Sequence, residues 1–407
     1  MTSLLIRNTR IVDGTSAEPS DPCDIAIENG RFVEVGKDIT FDAAETLDLK
    51  QAIVMPGLID CHVHVLSTHA NMAINMELPN SWIALKSAQI MKDMLMRGFT
   101  TVRDLAGADR GLQLAQQDGL MDAPRLVICG KALSQTGGHS DQRGPFHHRS
   151  MDPYLDRLGA LGRLCDGVPD CIKAAREEIK GGANFIKVMA DGGVSSPTDP
   201  VGFFGFTMDE LRAIVEVAKG SGTYVAAHLY DDTCITRALD AGIECVEHGN
   251  RMSDETIARI AKEGQCVVPT NITYDRLAKE GAEYGLPPES VAKIEDVREA
   301  GLERLEKLYK AGVTVGYGSD LIGGMHPHQS GEFTLRGQYL PADAVIRSAT
   351  VDAAKVLRME GEIGAITPGA YADLIVVDGN PLENLSLLTN QGAHMPMIMQ
   401  GGTVKKG

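Results

Sequence analysis

Four histidines, one aspartate and one lysine stand where an apolar strand pattern has little use for them. PGLIDCHVHV, residues 56–65, ends an apolar run in His62 and His64, separated only by Val63. Side chains two apart in a strand share a face, so these two imidazoles can grip one object. Backbone carbonyls can satisfy such a pair in a structural role, but neutral imidazole is also a ligand for zinc and its neighbours. His228 closes TYVAAHLY, His248 closes IECVEHG and Asp320 closes VTVGYGSD, each at the same end of an apolar run. Lys187 in NFIKVMA is flanked by Phe185, Ile186, Val188 and Met189, where an unpaired ammonium is expensive. Such a lysine either reaches an acid or the barrel mouth with its tip, or loses its proton to burial and becomes a reactive amine. Beside two cations, a neutral amine can take up carbon dioxide as a carbamate whose two oxygens bridge them.

These groups must be positioned by the elements that carry them. Strand-like runs occupy 52–65, 99–105, 124–130, 184–190, 223–230, 243–249, 265–270 and 313–320. Helical patterns lie between them, among them TMDELRAIVEVAKGSG and SDETIARIAKEG. TMDE and SDET fit a helix start, and the glycines that follow fit helix ends. Strands alternating with helices imply parallel pairing. Eight such units predict an α/β chain closed as a (β/α)8 TIM barrel, in which catalytic groups collect at the C-terminal strand ends. Short strand patterns at both termini predict a small β-sandwich domain from 1–55 and 358–407, beside a catalytic barrel over 56–357.

The chain has 407 residues, with 39 Lys plus Arg against 55 Asp plus Glu and a formal charge of −16. So acidic a chain is a poor non-specific ligand for nucleic acid or anionic membrane. No segment approaches the ~20 apolar residues that a membrane span needs, and the N-terminus lacks a cleavable signal pattern. The eight cysteines are scattered without a CxxC pair, which fits a reduced, cytoplasmic protein. A symmetric homo-oligomer is the expectation for a large enzyme of this kind.

PGLIDCHVHV, FIKVMADGG, AAHLY, VEHG and GSD, in this order, resemble the amidohydrolase superfamily. The likeness spans essentially the whole chain, from RNTRIVDG to PGAYADLIVVDGNP. It implies two divalent metal ions, with zinc expected, bridged by hydroxide and by a carboxylated Lys187. His62 and His64 then bind the more buried metal, His228 and His248 bind the second, and Asp320 binds the first and handles the proton. Tyr230 follows His228 by two and faces the same way; in similar members such a tyrosine polarises the scissile carbonyl.

The pattern is most similar to prolidase-like dipeptidases, related to imidazolonepropionases, which cleave dipeptides and N-acyl amino acids. His139, in TGGHSD, resembles a substrate-contacting segment. Arg143, together with His147, His148 and Arg149 in the same loop, can hold a substrate carboxylate. The expected small-molecule substrate is an Xaa-Pro dipeptide. A different C-terminal residue, a cyclic amide or ring for deamination, and a non-enzymatic scaffold are the alternatives. Lys187 argues against the cyclic substrate, and the complete ligand set against the scaffold.

Overall fold

The computed structural model describes residues 3–194, 199–284 and 288–407. The N-terminal strands are β1 (Ser3–Ile11), β2 (Cys23–Glu28), β3 (Arg31–Gly36), β4 (Glu45–Asp48) and β5 (Ile53–Pro56). Next come β6 (Leu58–Val63), β7 (Phe99–Asp104), β8 (Arg125–Ile128), β9 (Ala132–Ser134) and β10 (Gly162–Leu164). They continue as β11 (Ile186–Met189), β12 (Val225–Asp231), β13 (Cys245–Arg251), β14 (Cys266–Val268) and β15 (Thr314–Val315). β16 (Leu374–Val377), β17 (Met397–Gln400) and β18 (Thr403–Lys406) end the chain.

β6 to β15 pair only in parallel, as the alternation with helices requires. They form two ladders, a three-stranded β6-β7-β8 and a seven-stranded β10-β9-β11-β12-β13-β14-β15. A single continuous eight-stranded ladder is therefore absent among the described residues. The third expected strand stops at Ile128, where the chain turns through Gly130 with φ +68° and resumes as β9. The last expected strand, 313–320, pairs as a ladder only over Thr314–Val315. Individual backbone bonds run beyond the ladders: Cys61 N donates to Tyr317 O (2.7 Å) and Asn184 N to Ile128 O (2.7 Å).

The helices begin and end where side-chain chemistry directs. Thr207 and Glu210 form a reciprocal capping box ahead of Met208–Gly220, and Ser253 accepts from Thr256 N ahead of Asp254–Glu263. Gly242 and Gly264 close their helices in left-handed conformation. The inner faces of these helices bury Ile214, Ile235 and Ile260 against the seven-stranded sheet, each such side chain contributing about 1.5–3 kcal/mol. Both faces of β6, β7 and β11 are buried. Any polar group there is costly unless it is satisfied.

The terminal strands share one connected sheet, ordered β18-β17-β16-β5-β1-β2-β3, with β4 on β1. β1 is the hinge of this arrangement: Leu4–Arg7 pair with β4, and Arg10–Ile11 with β5. β16 pairs antiparallel with β5, from Leu374↔Pro56 to Val377↔Ile53. One residue, Gly57, joins β5 to β6. A Cβ there would stand 2.1 Å from Thr100 Oγ1, so the close passage requires glycine.

Candidate active site and metal centre

The strands and the loops that follow them bring His62, His64, Lys187, His228, His248, Tyr230, Asp320 and His139 to the wall of one cavity. Asp320 Oδ1 lies 3.0 Å from His64 Nε2 and 3.4 Å from His62 Nε2, and its Oδ2 lies 4.0 Å from His248 Nδ1. His62, His248 and Asp320 each present a ligand atom within 4.8 Å of the others. His228 packs edge-on to His248 with ring centres 4.7 Å apart. Lys187 is buried at 1% exposure.

The register explains most of this. Lys187 pairs with Ala226, so it shares a facing with that residue and with His228 two further on. His228 pairs with Glu247, which carries Glu247 to the same side. By strict alternation His248 would then point away. It adopts φ +72° instead, and Asp320 adopts φ +51°. Left-handed backbone at non-glycine residues is uncommon and collects at functional sites. Here it turns His248 inward beside Glu247, so two consecutive side chains serve one interior.

Hydrogen bonds fix which ring nitrogen His62 and His228 offer. His62 Nδ1 is 2.8 Å from Glu247 Oε2; the carboxylate accepts, so Nδ1–H donates and Nε2 faces Asp320. His228 Nε2–H donates to Gly192 O (3.2 Å), which leaves Nδ1 for the interior. His248 Nδ1 is 2.8 Å from Thr270 Oγ1. Burial holds His228 and His248 well below the usual histidine range, with the neighbouring His139 and His248 acting on the first and His62 on the second. Burial opposes ionisation of Asp320, yet His62 and His64 hold its carboxyl well below the ordinary value. Burial likewise lowers the Lys187 ammonium. Neutral imidazoles at His228 and His248, an ionised carboxylate and a lysine with a depressed pKa form a donor set suited to divalent cations. His64 Nδ1, buried without a hydrogen-bond partner, adds an unmet polar atom to this cluster.

Several participants escaped the sequence reading. Arg103 and Glu247, both fully buried, pair at 2.6 Å behind His62. Asp60 accepts from His62 N, Ser319 N, Ser319 Oγ and Gln329 Nε2, and so ties β6 to the segment carrying Asp320. Asp191 accepts from Tyr230 N and Asp231 N, and Tyr274 donates its hydroxyl to Tyr230 at 3.1 Å. The signal was present: Arg103 in FTTVRDL and Glu247 in VEHG are charges in apolar runs, the same oddity that marks Lys187.

His139 stacks on His228 at 4.2 Å and 18°, with its Nδ1 3.9 Å from Asp199 Oδ2. Gly193 makes room, since a Cβ there would come within 1.8 Å of the His139 ring. Arg143, expected to meet a substrate carboxylate, is engaged by other groups. Its guanidinium forks onto Asp141 (Nε–Oδ1 2.7 Å, Nη2–Oδ2 2.6 Å) and donates to Arg149 O, and it is not among the residues lining the cavity. A carboxylate two residues away in the same turn captures the planar fork first. His147, His148 and Arg149 lie exposed outside the cavity.

The model of the amidohydrolase family matches residues 53–404. The chain belongs to that family. This amidohydrolase is 32% identical over 378 residues to the ochratoxinase of Aspergillus niger, spanning 87% of this chain and 76% of that protein. It superposes with a TM-score of 0.97 on a prolidase solved with N-methylphosphonate-L-proline, at 44% identity and 100% of both chains. A Xaa-Pro dipeptidase solved with methionine in its active site is 28% identical, with a TM-score of 0.88 and 100% of both chains covered. No helix among the described residues of the amidohydrolase is long and apolar enough to cross a membrane, and its eight cysteines are unpaired.

One group beneath the site predicts acid sensitivity. His326 is buried, donates Nε2–H to Ser67 O at 2.9 Å, and is pushed from its ordinary 6.5 to about 4 by burial. Between those values the unfolded chain binds a proton that the folded one does not. The contribution is therefore present above about 6.5 and is lost as pH falls towards 4, on the order of 3 kcal/mol in all. His326→Gln should flatten the fall of the urea midpoint between pH 7 and pH 5. An unaltered fall excludes His326 as the sensor.

Proposed function

We propose that this amidohydrolase cleaves the amide bond of dipeptides or N-acyl amino acids, and that its preferred substrates are Xaa-Pro dipeptides. The observation that carries the reading is the approach of Asp320 to His62 and His64, with Lys187 and His228 opening on the same cavity. His62, His64 and Asp320 would hold one zinc or similar ion and His228 and His248 a second, with Lys187 between them. The uncharged Lys187 amine adds to carbon dioxide and releases a proton, becoming an anionic carbamate. Bound divalent cations act as Lewis acids towards a water and towards the scissile carbonyl.

The chain's own groups do the rest. Asp320 accepts a proton from the attacking water and returns it to the leaving nitrogen, serving as base and then acid. Because Tyr274 donates to Tyr230, the Tyr230 hydrogen is left to donate towards the carbonyl oxygen as charge builds there. His139, aligned by His228, faces the substrate. We read the two parallel sheets as the wall of one (β/α)8 barrel, spanning 56–357, with the backbone bonds at 61–317 and 128–184 supporting closure. The terminal sheet is read as a separate small domain. The unpaired cysteines support a reducing, cytoplasmic setting, and a homo-oligomer remains the expected assembly.

The prolidase and Xaa-Pro dipeptidase likenesses support proline, whereas the ochratoxinase likeness leaves room for other amides. The cavity wall carries Met72, Met76, Met151 and Met189, flexible side chains that adapt to varied apolar groups. A library of dipeptides and N-acyl amino acids, scanned with zinc-loaded protein, decides between them. Preference for another C-terminal residue ends the proline assignment, and no turnover of any member ends the amidohydrolytic one. Tyr230→Phe should lower kcat by about 10²-fold with little change in zinc content. An unchanged kcat removes Tyr230 from the mechanism.

A further inference from the structure

The most densely wired group outside the candidate ligands is the buried ion pair behind His62. Arg103 projects from β7 and Glu247 from β13, and both side chains are fully buried. Every Arg103 nitrogen has a partner: Nε donates to Cys61 O (2.6 Å), Nη1 to Tyr224 Oη (3.2 Å) and Nη2 to Glu247 Oε1 (2.6 Å), and both Nη atoms also reach Cys245 Sγ (3.5 and 3.6 Å). Glu247 spends its second oxygen on His62 Nδ1, and Cys245 Sγ donates to the first at 3.1 Å. Removing either partner would strand the other as a buried charge. Such a costly pair needs no place in an inner wall unless it serves the group it touches.

We propose that Glu247, oriented by Arg103, is the positioning residue that holds the His62 proton on Nδ1 and so keeps the Nε2 lone pair free for the metal that Asp320 would share. This rests on the metal-dependent reading above. Two features make the arrangement specific. Arg103 can only donate, so the Glu247 oxygen that faces it must accept. The other oxygen of an ionised carboxylate also can only accept, which leaves His62 Nδ1 as donor. Hydrogen bonds behind a ligating histidine set tautomer and ring orientation, and their loss typically weakens metal affinity ~10–100-fold.

Glu247→Gln is the decisive variant because it keeps the shape and reverses the polarity. Its amide oxygen must face Arg103, so its NH2 faces His62 Nδ1 and forces the proton onto Nε2. Zinc affinity, measured by competition with a chromophoric chelator, should fall ~10–100-fold. Adding Arg103→Met frees the amide to turn its oxygen back to His62. The double variant should therefore bind zinc several-fold more tightly than Glu247→Gln alone. A merely structural role predicts no such recovery, because the second substitution only removes further contacts. Equal or weaker binding by the folded double variant overturns the proposal. Should either variant fail to fold, the wild-type protein still decides: labelled with 15N-histidine and freed of metal, it should show His62 protonated at Nδ1. A proton on Nε2 with none on Nδ1 overturns the proposal as well. Wild-type protein that takes up no zinc would instead sink the metal-dependent reading itself.

Discussion

Asp320→Asn should leave a folded protein whose dipeptide hydrolysis has fallen by at least ~10³-fold, within the range set by losing a general acid–base. The backbone has little reason to move. Asparagine tolerates left-handed conformation as aspartate does, so φ +51° at this position is preserved. What changes is charge. His62 and His64 now face an amide that neither accepts a proton at neutral pH nor balances a cation. Circular dichroism and a thermal melt report the fold, and turnover at saturating zinc reports the chemistry. A rate within tenfold of wild type would falsify the proton-carrying role.

Lys187→Met tests the opposite end of the site and separates function from stability. The lysine is buried, and burial depresses its pKa, which means that the fold is strained to keep an amine there. Methionine fills similar space without the desolvation cost. With both proteins freed of metal, the variant should melt no lower than wild type; after loading, its metal content should drop from the proposed two ions per chain to one or fewer, and hydrolysis should fall below detection. Plasma mass spectrometry of the dialysed protein gives the stoichiometry. Wild-type metal content and turnover in bicarbonate-free buffer would remove Lys187 as a bridging group.

How much of this could be read in the sequence follows from how local each signal is. The shared facing of His62 and His64 needs only the two-residue period of a strand, and the helix starts at Thr207 and Ser253 need only a few neighbouring residues. The charge of Glu247 stood out in its apolar run, but its facing was out of reach. Once His248 is placed inside, alternation sends Glu247 outward, and only the positive φ at His248 lets both enter. The split of the third strand at Gly130 is equally local in origin, but its effect on pairing is not. Arg143 shows the converse limit: a basic side chain in a loop carries no sign in the sequence of its pairing with Asp141 two residues away. Asp60, with its four donors from three segments, belongs to tertiary contacts that no spacing rule reports.

The pairing of β16 with β5, one residue upstream of the strand that bears His62, has a consequence for biosynthesis. On the ribosome His62 emerges early, yet the edge of β5 stays open until the strand at Leu374–Val377 has been made. Chains arrested before that point expose an unpaired edge next to a nascent hydrolytic centre. Premature termination should thus yield aggregates rather than a weakly active fragment.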